Sequence, residues 1–96
     1  MYELSAQAER DIEDITLDGI IKFGEYQAHR YQASLYRTFA LLADMPTIGR
    51  RSERGNRGEL RFVHNAHVIY YRIEDDRIVI VALVYGPMIK DIWGED

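Results

Sequence analysis

Apolar positions along this chain change their period twice. Tyr2-Glu3-Leu4 alternates and predicts a short strand. Ser5 follows where a helix N-cap belongs, its hydroxyl placed to accept from an early backbone N–H. Ala8, Ile12, Ile15 and Gly19 then recur at steps of three and four, the spacing of a helix with one buried stripe. Acids crowd the first turns of this segment, where the helix dipole favours them, and Gly24 is a natural C-terminal stop. Ala28, Tyr31, Leu35, Phe39 and Leu42 form a second helical stripe, which ends at Asp44-Met45-Pro46 because proline disfavours helix at the residue before it. Two helices with so short a joint must fold back as an antiparallel hairpin.

Residues 46–58 hold a proline and three glycines and read as a loop. No Gly-Lys-Ser/Thr follows, so the loop is not a Walker-type phosphate cradle. From Glu59 the period becomes 2, with Leu60, Phe62 and His64 on one face and Arg61 and Val63 on the other. Asn65-Ala66 reads as a turn, His67 to Ile73 as a strand, and Glu74-Asp75-Asp76 as a second turn. Arg77 to Tyr85 is almost wholly apolar, which predicts a strand covered on both faces. The expected fold is α+β in the order β-α-α-β-β-β, a two-helix hairpin packed on an antiparallel sheet. Two helices can cover only one face of that sheet, so the other face and a groove beside the hairpin are expected to receive a partner. Residues Met88 to Asp96 have no readable period, and Gly86-Pro87 closes the last strand.

With 96 residues, the chain is expected to form a single domain over 1–96. It has no cysteine, which excludes a disulfide framework and a cysteine nucleophile and fits a cytoplasmic location. No apolar run reaches the ~18 residues of a membrane span, and the N-terminus carries an acid where a secretion signal is basic. The net charge of −4 argues against binding nucleic acid through bulk charge. That charge is unevenly spread: residues 1–44 and 74–96 are each at −4, while 45–73 stand at +4. All bases of the middle segment are arginine: Arg50, Arg51, Arg54, Arg57, Arg61 and Arg72. They read either as a solvated counterweight to the acidic helices or as an electropositive rim for an acidic partner.

Several phrases together carry a family resemblance: Leu4-Ser5 with Ala8 and Asp11-Ile12, Leu42-Ala43-Asp44-Met45-Pro46, Ile48-Gly49-Arg50-Arg51-Ser52, Leu60-Arg61-Phe62, His67-Val68-Ile69-Tyr70-Tyr71-Arg72, Glu74-Asp75-Asp76 and Ile78-Val79-Ile80-Val81. In order and spacing the chain resembles the ParE branch of the RelE/ParE toxin superfamily, from Leu4 to about Tyr85. The resemblance implies the same β-α-α-β-β-β fold, a toxin of a type II toxin–antitoxin pair, a ParD-like antitoxin as partner in a hetero-oligomer, DNA gyrase as target, no cofactor and no metal. No sequence-specific nucleic-acid binding by the toxin alone is expected. The family's last strand usually ends in histidine-glycine-arginine, whereas here the positions read Tyr85-Gly86-Pro87.

Three activities fit: a gyrase-binding toxin, a ribosome-dependent endoribonuclease as in the RelE branch, or an antitoxin-binding member without toxicity. The ribonuclease candidates are Glu59 as base, Arg61 and Arg72 as phosphate holders and Tyr85 as acid. The set is thin, because tyrosine is a poor acid without neighbouring cations and Lys90 is the only base beyond Tyr85. Arg61 and Arg72 read equally as partners of Glu59 and Glu74 across the sheet. The partner-binding candidates are Arg50, Arg51, Arg54, Arg57, Arg61, Tyr70, Arg72 and Trp93. Tyr70 and Tyr71 must face opposite sides of one strand, so one of them points away from the helices. Trp93 is either a contact residue or part of a tail docked on the sheet. His29 is expected in solvent, His64 and His67 flank a turn, and no histidine pair has zinc-helix spacing.

Overall fold

The computed structural model describes residues 1–52 and 58–89. Arg54, Arg57 and Trp93 lie outside the described residues. The elements are β1 (Tyr2–Leu4), α1 (Ala6–Phe23), α2 (Glu25–Asp44), β2 (Arg50–Arg51), β3 (Leu60–His64), β4 (His67–Ile73) and β5 (Ile78–Tyr85). Short 3-10 turns occupy Pro46–Ile48 and Gly86–Met88. The Ser5 hydroxyl caps α1 by accepting from the Ala8 N–H at 3.0 Å. Gly24 alone separates the helices: at φ +88° its N–H closes α1 on the Ile20 carbonyl, and its own carbonyl opens α2 by accepting from Ala28. A side chain at that φ is strained, so the hairpin joint selects glycine.

Two expectations are corrected. The sheet is mixed, with five strands in the order β1-β5-β4-β3-β2, and β1 runs parallel to β5. It can do so because the helical hairpin and the whole meander separate the two strands in sequence. The loop expected over 46–58 also contains a strand, β2, at the sheet edge. Two residues show no readable alternation, and what seats β2 is tertiary. The Tyr71 hydroxyl donates to the Pro46 carbonyl at 2.7 Å and accepts from the Gly49 N–H at 2.9 Å. A Cβ at position 49 would overlap that hydroxyl.

The helices cover one face of the sheet, where Ala8, Ile12, Leu35, Phe39 and Leu42 pack on Ile69, Tyr71, Ile78, Ile80 and Leu83. The change from even to odd positions within β5 comes from a register shift. Tyr70 pairs with Ala82 but Tyr71 pairs with Ile80, so Val81 is an extra residue. The shift lets Ile80 and Leu83 share the helix face. On the other face Val68, Tyr70 and Val84 pack against Ile89, with Val81 beside them. The face expected to await a partner is thus closed near the end of β5 by the chain's own Ile89.

β1 pairs with β5 only as far as Ile80. Beyond it, α1 supplies the missing partners. The Ser5 N–H donates to the Ile80 carbonyl at 3.0 Å and the Ser5 hydroxyl to the Val81 carbonyl at 2.7 Å, while an Asp11 carboxylate oxygen accepts from the Leu83 N–H at 3.0 Å. Replacing Asp11 by alanine leaves the Leu83 N–H without its acceptor, at a cost of about 1–3 kcal/mol. Urea titration of Asp11→Ala should show that loss as a lower midpoint with an unchanged slope. An unchanged midpoint would show that solvent serves the Leu83 N–H equally well.

Candidate partner-binding site

Arginines gather on the sheet face turned away from the helices. Arg50 of β2 stands opposite Arg61 of β3, and Arg61 stands opposite Tyr70 of β4. Residues opposite one another share a face, so Arg50, Arg61 and Tyr70 form one row. Arg72 lies two residues along β4 on the same face. The Arg61 guanidinium lies 6.0 Å from the centre of the Tyr70 ring, at the outer limit of a cation–π contact. Tyr70, expected as a contact residue, is fully buried. It carries Arg61 from beneath, and Ile89 closes over its other neighbours Val68 and Val84. Glu59 is buried at 4% exposure, and its carbonyl accepts from the Ser52 N–H at 2.9 Å. Arg72 pairs with Glu74 at 2.9 Å, two residues along the same chain segment rather than across the sheet as expected. Arg50 and Arg51 are exposed on the edge strand. Like charges facing one another across strands are unfavourable on their own, so this pairing depends on compensation from its surroundings.

Tyr85 stands apart from this group. It pairs with His67, and their rings lie 5.8 Å apart on the helix side. The structure therefore brings Arg61 and Arg72 to one face, with Glu59 buried just before β3, and puts Tyr85, 46% exposed, on the opposite face.

Around Tyr85 the helix side carries two features. The first is a polar clasp between α2 and the β3–β4 hairpin. His64 places one ring nitrogen 2.9 Å from the Ser34 hydroxyl and the other 2.9 Å from the Thr38 hydroxyl. The Nδ1 of His67 lies 2.7 Å from the Tyr31 hydroxyl. The two histidines pair across the hairpin, whose tip is Asn65 at φ +52°. Burial pushes both imidazoles below their ordinary range. Arg37 adds to this at His64, while at His67 the His64 ring adds to it and Asp18 opposes it. The sequence places His64 and His67 only as residues flanking a turn, with no role for either. The available signal was the polar series Tyr31, Ser34 and Thr38, at spacings of three and four on the second helix.

The second feature is a groove of about 1010 Å³ between α1, α2 and the end of the sheet. Ile15, Gly19, Ala28, Tyr31, Leu83 and Tyr85 are among its lining residues, and charged side chains stand on both helical walls. Among the described residues no group of three or more histidines and carboxylates could hold a metal ion, and no helix is long and apolar enough to cross a membrane.

A helical hairpin on a mixed sheet, with an arginine edge and a groove beside the hairpin, defines a small α+β protein. Comparison with known proteins supplies the family. The model of the ParE toxin of the type II toxin–antitoxin system parDE matches residues 2–89. Toxin ParE1 of Caulobacter vibrioides is 30% identical over 87 residues, covering 91% of this chain and 90% of that protein. A chain from the structure titled "Chromosomal ParDE TA system from P. aeruginosa" superposes with a TM-score of 0.77 at 16% identity, over 88% of this chain and 92% of that one, and so shares the fold. The chain belongs to the ParE toxin family.

The lowered imidazoles set the sign of a pH effect. Unfolding lets both histidines return to a pKa near ~6.5, so below that value the unfolded chain binds more protons than the folded one. Their contribution is therefore fully present above about pH 6.5 and is lost as pH falls below it. The urea midpoint should drop between about pH 7.5 and 5.5, and His64→Gln with His67→Gln should flatten that drop. An equally steep drop in the double variant would assign it to carboxylates instead.

Proposed function

We propose that this ParE-family toxin arrests growth by binding DNA gyrase rather than by cutting RNA, and that a ParD-like antitoxin neutralises it in a cytoplasmic hetero-oligomer. The observation that carries the reading is the separation of the ribonuclease candidates. A general acid must reach the atom it protonates, within about 2.6–3.2 Å or through one water. Tyr85 lies across the sheet from Arg61 and Arg72. A phosphate held by the arginines is thus screened from the phenol by the sheet itself. Family membership supports the toxin role, and the solved ParDE system offers the precedent for an antitoxin.

Two surfaces suit such partners. Arg50 and Arg51, with Arg54 and Arg57 next in sequence, offer guanidinium forks to acidic side chains. The groove beside the hairpin suits an amphipathic helix. Trp93 is the remaining candidate for the gyrase contact, through the enrichment of tryptophan in interface hot spots.

The test pairs a gyrase supercoiling assay with in vitro translation on one preparation. Loss of supercoiling with translation intact is expected, and Glu59→Gln and Tyr85→Phe should each retain growth arrest. Translation arrest abolished by both substitutions would establish the ribonuclease instead. Silence in both assays, with antitoxin still bound, would identify a member without toxicity. Replacing Arg50, Arg51, Arg54 and Arg57 by serine should weaken antitoxin binding and flatten its salt dependence. A salt dependence that is equally steep in both forms would remove these arginines from the complex.

A further inference from the structure

The groove between the helices is electrically divided along its length. On the α1 wall stand Asp11, Asp14 and Asp18, at spacings of three and four, which sets them in one row. On the α2 wall stand Arg30 and Arg37, seven residues apart and so on one face. Asp18 is paired with Lys22 at 3.0 Å near the hairpin tip, with both side chains 59% exposed, and that pair remains open to water. The Arg30 guanidinium lies 5.7 Å from the Tyr26 ring centre, which holds it without neutralising it. His67 borders the same wall and adds no charge while its imidazole is neutral. Because the helices are antiparallel, Asp18 and Arg30 mark the tip end of the groove, and Asp11 and Arg37 mark the other.

A helix lying in this groove presents its apolar stripe to the floor and one flank to each wall. Reversing its chain direction about the normal to the floor exchanges the two flanks. The division of charge therefore does more than attract: it selects a direction. We infer that the groove takes an amphipathic partner helix with one basic and one acidic flank, and that the aspartate and arginine walls fix which way that helix runs. This rests on the reading of the groove as an antitoxin seat, and it adds the rule by which one antitoxin helix is accepted and another of equal hydrophobicity is refused. Asp14, Asp18, Arg30 and Arg37 carry the discrimination. Asp11 is already engaged by the Leu83 N–H and serves the fold.

The test needs no antitoxin. Two peptides of about 18 residues and identical composition carry leucine at positions a and d of the heptad. One has lysine at e and glutamate at g, and the other has these exchanged. Each bears a nitroxide at its N-terminus, and broadening of the toxin's amide signals reports which end of the groove that terminus reaches. The two peptides should bind in opposite directions, each with about a tenfold preference, the sum expected of a few exposed charge pairs. Asp14→Lys, Asp18→Lys, Arg30→Glu and Arg37→Glu together should invert both directions. If that variant unfolds, Asp14→Lys with Asp18→Lys alone makes both walls basic and should leave each peptide without a preferred direction. Both peptides running the same way, directions indifferent to the wall charges, or no capture below about 1 mM, where only some 4 kcal/mol of binding would remain, would overturn the inference. Loss of gyrase inhibition or of neutralisation with directional capture intact would count against the functional reading alone.

Discussion

The structure depends on how β5 keeps its backbone hydrogen-bonded after β1 ends. β5 lies inside the sheet, but its first neighbour is only three residues long. An unpaired N–H or carbonyl in this apolar setting is costly, and an open edge invites another chain. Ser5 and Asp11 resolve both difficulties from the first turns of α1. Ser5 serves at once as the helix cap and as the successor to β1. The contact fixes α1 against β5, and with Gly24 as the only residue between the helices, α2 is placed as well.

Other features descend from that placement. With α1 anchored over β5 and α2 clasped to the β3–β4 hairpin through His64 and His67, the helices frame a groove above the end of the sheet. The extra residue at Val81 puts Ile80 and Leu83 on the same face, so the core continues to the groove. The sheet then insulates its two faces chemically. Tyr85, His64 and His67 belong to the helix side, while Arg50, Arg61 and Arg72 belong to the other. For an enzyme of the superfamily's ribonuclease type that separation is an obstacle. For a protein that presents separate surfaces to separate partners it is useful.

Much was legible in the sequence. The helices, their joint at Gly24, the cap at Ser5 and the three long strands follow from period, capping chemistry and turn residues, which act over a few positions. The opposite facing of Tyr70 and Tyr71 follows from the alternation of a strand. The arginine clustering was visible as a charge block, and the family was visible from phrases spread over most of the chain.

Tertiary structure decided the remainder, because those features join residues far apart in sequence. The parallel pairing of β1 with β5 links positions separated by the whole hairpin and meander. The strand at Arg50–Arg51 exists because Tyr71 pins Pro46 and Gly49, and no pattern within two residues announces it. The closure of the far face by Ile89 and the burial of Tyr70 depend on where the chain turns after Gly86. Likewise, the aspartates and arginines of the groove are ordinary solvated faces when each helix is read alone. Only the antiparallel packing of the hairpin sets them opposite one another. Local periodicity determined which faces the elements possess, and long-range hydrogen bonding and register decided which faces meet.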